Sequence, residues 1–458
     1  MEFDLSKINR VHFIGIGGIN MSALADILVS GGFSVSGSDA KDSQITKDLA
    51  AKGVKIYIGQ RASNITDDIE LVVYTAAIRE DNPELARARQ LGLLLFSRAQ
   101  FLGYLMKGYD IPICISGTHG KTTTTSLISQ IFMDAGKDPT IMVGGILPAI
   151  GGNFKNGSRR YFITEACEYT NSFLSFFPKI EIILNVKADH LDFFKDLDDI
   201  RHSFREYARL LPDDGTLIIN GETENLSYFT EGLACRVITF GLSGEFDYNA
   251  RNISYNELAC GGYDLYKKDE FICRVCLSIT GAHNISNSLS ALAAADICGI
   301  DLKQAALSLG RFGGVERRFQ ILGKTNGVTV IDDYAHHPDE IRATLSAALK
   351  YPHKKLYLVF QPHTYSRTKA LLDEFASALS SADVIVLADI YAAREKDDLG
   401  ISSETLKEKI TAAGGECYYF PTFDEIENFL LENCTPNDLL ITMGAGDVDI
   451  IGKKLLGR

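Results

Sequence analysis

The run Gly117-Thr118-His119-Gly120-Lys121-Thr122-Thr123 carries the densest chemistry in the chain. Backbone N–H groups of such a glycine turn can wrap phosphate oxygens. Lys121 is spaced to reach the outer phosphates of a nucleoside triphosphate, and the Thr122 hydroxyl to ligate Mg²⁺. The stricter eight-residue pattern wants glycine at position 115, which is Ile115. The run is therefore a variant, G-x-x-G-K-T-T, and it points to ATP. A phosphate loop serves switches, motors and kinases alike, so the rest of the chain must name the reaction.

A second glycine turn, Gly15-Ile16-Gly17-Gly18-Ile19-Asn20, follows an apolar run and precedes a helical stretch. Small residues there admit a phosphate to the backbone, and a helix N-terminus favours its charge. Asp39 follows about 20 residues on, where a ribose-binding acid belongs. Asn20 replaces the third fingerprint glycine. The turn suits NAD, another diphosphate such as a UDP-sugar, or a tight turn with no ligand.

Past the phosphate loop, Glu165 closes an apolar run and Glu168 follows. Asn185 closes the next, ahead of Lys187-Ala188-Asp189-His190-Leu191-Asp192. Residues at the carboxyl ends of parallel strands face the crevice where ligands bind. Glu165 and His190 there suit Mg²⁺, directly or through water. Singly each is an ordinary polar residue, and the company of Lys121 favours the metal. Glu168 is open between a second acid and a solvated one. His283-Asn284-Ile285-Ser286-Asn287 opens an alanine-rich helix, where the asparagines can cap the helix or bond a base edge.

Two further clusters each pass from a strand into a helix: Asp332-Asp333-Tyr334-Ala335-His336-His337-Pro338 and Gln361-Pro362-His363-Thr364-Tyr365-Ser366-Arg367. His336 and the fork of Arg367 suit a carboxylate-bearing ligand. Gly444-Ala445-Gly446-Asp447 lies at another strand end.

Parallel strands must carry these residues. Short β-branched runs alternate with helical stretches, which predicts an α/β fold of parallel sheets faced by helices. The spacing predicts strands at Val11–Ile16, Phe33–Gly37, Leu71–Thr75 and Leu93–Ser97. Further strands are predicted at Ile111–Ser116, Tyr161–Thr164, Glu181–Val186 and Thr216–Asn220. A third set is Val328–Ile331, Lys355–Phe360, Val384–Ala388 and Leu439–Thr442. Phe246–Ile279 reads as antiparallel strands and His283–Cys298 as a helix. A length of 458 residues gives about three domains. Gly108–Asp110 and Gly313–Gly314 are the candidate linkers, giving 1–108, 109–314 and 315–458.

The net charge of −13 argues against bulk nucleic-acid or anionic-membrane binding. The N-terminal apolar run is broken at once by glycines, unlike a signal peptide, and no run reaches membrane-spanning length. The nine cysteines hold one C-x₂-C spacing, Cys273 to Cys276, which reads as two positions on a strand. A reducing, cytoplasmic location is expected.

Taken together, these residues resemble the Mur ligase family. The resemblance rests on G-T-H-G-K-T-T at 117–123, Glu165, N-x-x-x-D-H at 185–190, H-N-x-x-N at 283–287, Arg317-Arg318-Phe319 and D-D-Y-A-H-H-P at 332–338, and it spans the chain. Within the family, Gly15-Ile-Gly-Gly-Ile-Asn-Met and Q-P-H-x-Y-S-R look like the alanine-adding member. The resemblance implies three domains: a Rossmann-like UDP-binding domain, a P-loop ATPase-like central domain and a Rossmann-like C-terminal domain that closes over ATP and the amino acid. It implies ATP-dependent joining of L-alanine to the carboxylate of UDP-N-acetylmuramate through an acyl phosphate, in a monomer or weak homodimer.

By the same resemblance, Gly117, Thr118, His119, Gly120, Lys121, Thr122 and Thr123 hold ATP, with Asn284, Asn287, Arg317, Asp332 and Tyr334. Thr122, Glu165 and His190 hold Mg²⁺. His336 and Arg367 hold the amino acid, and Lys121, Glu165, His190, His336 and Arg367 are the catalytic candidates. Gly17, Gly18, Ile19, Asp39, Thr75 and Arg98 are candidates for the sugar nucleotide. The chain departs from many members at Cys167-Glu168-Tyr169-Thr170, at Thr364 and at Gln60. The rivals are an NAD-dependent oxidoreductase, which leaves Lys121 without a use, a non-catalytic nucleotide switch, and a Mur-type ligase for another amino acid or peptide.

Overall fold

In the first sheet the strands run Lys55–Ile58, Ser34–Asp39, Arg10–Ile14, Leu71–Tyr74 and Leu94–Ser97 from edge to edge, all parallel. Val11, Phe13, Leu71 and Val73 of its central strands are buried. A parallel sheet is covered on both faces, which is why those strands read as nearly unbroken apolar runs. Ile19–Ser30 and Arg98–Met106 are among its helices. Ser97 caps the latter by accepting from the Gln100 amide, and Gln100 reaches back to the Ser97 amide. The glycine turn after Arg10–Ile14 leaves the sheet where the strand order reverses, the usual crevice of such folds.

The computed structural model describes residues 5–458 except 76, 77, 192, 394 and 398, so Asp192 lies outside the described residues. It forms two compact units, Met1–Thr239 and Phe240–Arg458. The first unit also holds the parallel strands Thr216–Asn220, Ile180–Ile183, Ile111–Ser116, Tyr161–Glu165 and Thr140–Leu147, with Gly152–Lys155 antiparallel at the edge. Helix Lys121–Asp134 follows Ile111–Ser116.

The second unit contains the antiparallel strands Tyr248–Tyr255, Cys260–Lys267 and Glu270–Thr280, then helix Ala282–Ile297. Its other sheet runs Gln320–Thr325, Val328–Asp333, Leu439–Met443, Leu356–Phe360, Val384–Leu387 and Cys417–Tyr419, parallel except for the first pair.

The expected strands are present, Ile111–Ser116 and Thr216–Asn220 with the expected bounds and the others with ends moved by at most three residues. Ile180–Ile183 stops short of the expected end, which puts Asn185 in the loop beyond it. Val328–Asp333 runs on through both aspartates. Strands at Lys55–Ile58 and Thr140–Leu147 were not expected. The first is a short, half-exposed edge strand, and the second is interrupted by Gly144 and Gly145 before it ends on Ile146-Leu147. Among the described residues, no helix is long and apolar enough to cross a membrane.

Candidate active site

Glycine conformation shapes the phosphate loop. Gly117 has φ +132° and Gly120 φ +89°, values that side chains with a Cβ rarely adopt. Asn185 fastens the loop from the neighbouring strand: its Oδ1 accepts from His119 N at 2.9 Å, and its Nδ2 donates to His119 O at 3.0 Å. Thr118 Oγ1 accepts from Lys187 N at 2.9 Å. The amides of Lys121, Thr122 and Thr123 open a helix and so have no acceptor within it. This is the geometry that receives an anion.

Lys121 is almost buried and fully engaged. Its Nζ donates to Gly117 O at 2.5 Å, Thr118 O at 3.1 Å and Glu168 Oε2 at 2.9 Å. Burial opposes its charge, but the Glu168 carboxylate overcomes this and holds the ammonium above its usual pKa. Glu168 is only 2% exposed. Its Oε1 lies 4.0 Å from His190 Nε2, and Tyr169 packs on the His190 ring with centroids 4.7 Å apart. Thr170, Asn171 and His190 all have positive φ. Strained backbone gathers at functional sites because surrounding structure must hold it.

Glu165 Oε1 accepts from Gly144 N at 2.5 Å, and a Cβ on Gly144 would come within 2.9 Å of both carboxylate oxygens. Burial lowers the pKa of Arg98 while Cys167 and Glu165 act to raise it. Glu168, Asp189 and His190 lie together, while Thr122 stands in the first turn of the helix after the phosphate loop and Glu165 ends the neighbouring strand. An oxygen-rich donor set of this kind fits Mg²⁺.

At the first glycine turn, Gly15 N and Ile16 N both donate to Ser38 O, at 2.8 and 2.9 Å. Gly17 N donates to Asp39 Oδ2 at 2.9 Å, so the expected ribose acid is partly committed to the loop. Thr75 packs against Gly15, where a Cβ would meet its Cγ2 at 2.8 Å. Gly18 caps the helix that Ile19 begins, and Ile19 O accepts from Asn153 Nδ2 at 2.8 Å.

In the second unit, Asn284 Nδ2 donates to Thr280 O at 2.7 Å and its Oδ1 accepts from Asn287 Nδ2 at 3.0 Å, so these two amides order each other. Arg317 pairs with Asp332 at 3.0 Å and donates to the carbonyls of Gly446 at 2.9 Å and Gly444 at 2.7 Å. This clasps the 444–446 loop. Asp332 also accepts from Thr442 Oγ1 at 2.7 Å, and burial raises its pKa although Arg317 opposes this. The Arg317 guanidinium lies 5.1 Å from the Tyr334 ring.

His336 Nδ1 lies 3.0 Å from Tyr334 O and 3.3 Å from Glu340 Oε2. The His363 ring is 5.8 Å from that of His336 and stacks on Tyr391. Arg367 Nη1 is 3.5 Å from His363 Nδ1. Burial, then His336 and Arg367, push the His363 pKa down to about 4, so it is neutral near pH 7.

Lys121, Glu165 and His190 thus belong to the first unit, while Asn284, Asn287, Arg317, Asp332, Tyr334, His336 and Arg367 belong to the second. The sequence left Glu168 undecided and gave Asn185 and His363 no role. Their signals were the N-x-x-x-D-H and Q-P-H-x-Y-S-R runs, but only the fold puts partners beside them.

Comparison with known proteins agrees with this architecture. Residues 10–110 match the Mur ligase family, catalytic domain; 115–295 match the Mur ligase middle domain; and 317–446 match the Mur ligase, glutamate ligase domain. The chain belongs to the Mur ligase family and has its three-domain α/β architecture. It is 56% identical over 457 residues to the UDP-N-acetylmuramate–L-alanine ligase of Agathobacter rectalis, covering 100% of both chains. It is 51% identical to the protein of that name from Clostridium botulinum, covering 99% of each. The crystal structure of UDP-N-acetylmuramate-alanine ligase MurC from Thermotoga maritima superposes with a TM-score of 0.83 at 30% identity, covering 98% of both chains. A murein peptide ligase from Psychrobacter arcticus gives 0.74 at 25% identity, again with 98% of both covered.

Proposed function

We propose that this Mur ligase joins L-alanine to the lactyl carboxylate of UDP-N-acetylmuramate at the expense of ATP, in the cytoplasm, where peptidoglycan precursors and ATP are found. The domains are set at 1–108, 109–314 and 315–458. The observation that carries the reading is the phosphate loop ordered by Asn185, with Lys121 charged at its mouth, in a chain 56% identical to a relative of that name.

A carboxylate is a poor electrophile. The lactyl carboxylate attacks the γ-phosphorus of ATP, the bond to the β-phosphate oxygen breaks, and ADP and an acyl phosphate result. The neutral amine of alanine attacks the acyl carbon, phosphate leaves and the amine gives up a proton. Lys121 and the helix-opening amides neutralise charge on the transferring group. Thr122, Glu165 and His190 would hold Mg²⁺, which supplies charge neutralisation to the phosphates. Asn185 keeps the loop in shape. His336, neutral His363 and Arg367 orient the alanine carboxylate, and Asp332, Tyr334, Asn284 and Asn287 form the nucleoside side.

The test is phosphate release from ATP with UDP-N-acetylmuramate present, adding each amino acid in turn. Release driven chiefly by L-alanine is expected. Release driven by another amino acid keeps the chemistry and changes the substrate, and no release with any of them refutes the reading.

A further inference from the structure

Among the described residues of the first sheet's domain, the one buried carboxylate has no part in the mechanism above. Glu84 is 0% exposed and sits in the first turn of helix Pro83–Gln90, directly after its cap Asn82. A first-turn acid needs only water and the helix dipole to be stable, and an acid buried whole needs partners. Its Oε2 accepts from Ser38 Oγ at 2.5 Å, and its Oε1 from Asn64 Nδ2 at 2.5 Å. His12 Nε2 lies 3.8 Å away.

Ser38 lies near the end of strand Ser34–Asp39, and Asn64 ends the short helical turn Ala62–Asn64 that follows strand Lys55–Ile58. Ser38 is the residue whose carbonyl takes both Gly15 N and Ile16 N, and its neighbour Asp39 takes Gly17 N. Asn64 also donates to Gly59 O at 3.0 Å, while Gly59 N donates to Asp39 O at 2.8 Å. The glycine turn, through Ser38, and the loop after Lys55–Ile58, through Asn64, are therefore tied to one side chain. Burial works to raise the Glu84 pKa, but the nearby His12 and the hydrogen bonds from Ser38 and Asn64 outweigh it and keep the acid below its usual value.

We propose that Glu84 is a positioning residue for the sugar nucleotide: it holds the glycine turn and the loop after Lys55–Ile58, at the carboxyl end of the first sheet, in the shape that receives the diphosphate. It touches no substrate and acts through Ser38 and Asn64. The inference rests on the reading that this domain binds UDP-N-acetylmuramate. Glutamine has the same shape but no charge, and its NH₂ can only donate to the Ser38 hydroxyl, so Glu84→Gln loses the charge-assisted hydrogen bonds. Ser38→Ala removes one link and leaves the carboxylate.

Isothermal titration of the full chain with UDP-N-acetylmuramate, with steady-state kinetics, tests this. Both variants should bind the sugar nucleotide about tenfold more weakly, the loss of one charge-assisted hydrogen bond. The KM for ATP, and kcat at saturating sugar nucleotide, should stay within about twofold of the parent. Unchanged sugar-nucleotide affinity overturns the proposal. So does an equal loss of ATP affinity and kcat, which marks general loosening. If Glu84→Gln does not fold, Ser38→Ala decides alone. A parent protein that does not bind the sugar nucleotide refutes the reading of the domain itself, and the inference falls with it.

Discussion

The ammonium of Lys121 lies 2.9 Å from Glu168 Oε2, in a site where the lysine is 15% and the acid 2% exposed. The group that faces the nucleotide phosphates is thus already neutralised by an internal acid. Breaking a buried pair by removing one partner costs about 3–5 kcal/mol, because the other charge is left alone. Phosphate oxygens can take over the role of the acid.

Glu168→Gln should therefore lower the thermal midpoint of the nucleotide-free protein, and MgATP should raise that midpoint by more in the variant than in the parent. Thermal melts with and without MgATP measure this. Equal ATP-induced shifts would show that Lys121 does not pass from Glu168 to phosphate.

Lys121→Ala should reduce alanine-dependent phosphate release by about a thousandfold or more, since the lysine stabilises charge in the transition state. Sugar-nucleotide affinity, read by calorimetry, should be nearly unchanged, because Gly15–Gly18 belong to another sheet. An active variant would remove the phosphate loop from the chemistry.

Gly144→Ala places a methyl group 2.9 Å from both Glu165 oxygens and must displace that side chain. The Mg²⁺ concentration for half-maximal phosphate release should rise about tenfold, the effect of disturbing one ligand or its support. The melting point should move little. A Mg²⁺ requirement identical to the parent's would show that Glu165 does not serve the metal.

His363 is depressed from its ordinary 6.5 to about 4, first by burial and then by His336 and Arg367. The unfolded chain takes up this proton at higher pH than the folded one, so stability is full above about pH 6.5 and falls as the pH drops toward 4. Between about pH 7 and pH 5 the loss from this group is of order 2 kcal/mol. Denaturation of parent and His363→Gln at both values should show a shallower decline in the variant. Parallel declines would contradict the burial argument.

Residue types and spacing were enough to reveal the α/β alternation and both glycine turns, because strand period and turn spacing are local properties, and they put Lys121, Glu165 and His190 forward as candidates for one chemistry. Edge strands such as Lys55–Ile58 escaped, since four residues are too short for a clear period to stand out from a loop. Glu168 looked like any solvated acid until the fold buried it against Lys121, some 47 residues away. Arg317 read as a nucleotide contact, and the fold adds that its guanidinium bonds Asp332 and the Gly444 and Gly446 carbonyls. Glu84 gave no signal, because its partners Ser38 and Asn64 are 46 and 20 residues distant. Sequence alone determined which groups could do chemistry. Only the tertiary structure decided which of them are buried together, and burial sets whether a charge is paired, shifted or held ready, because desolvation depends on neighbours distant in the chain.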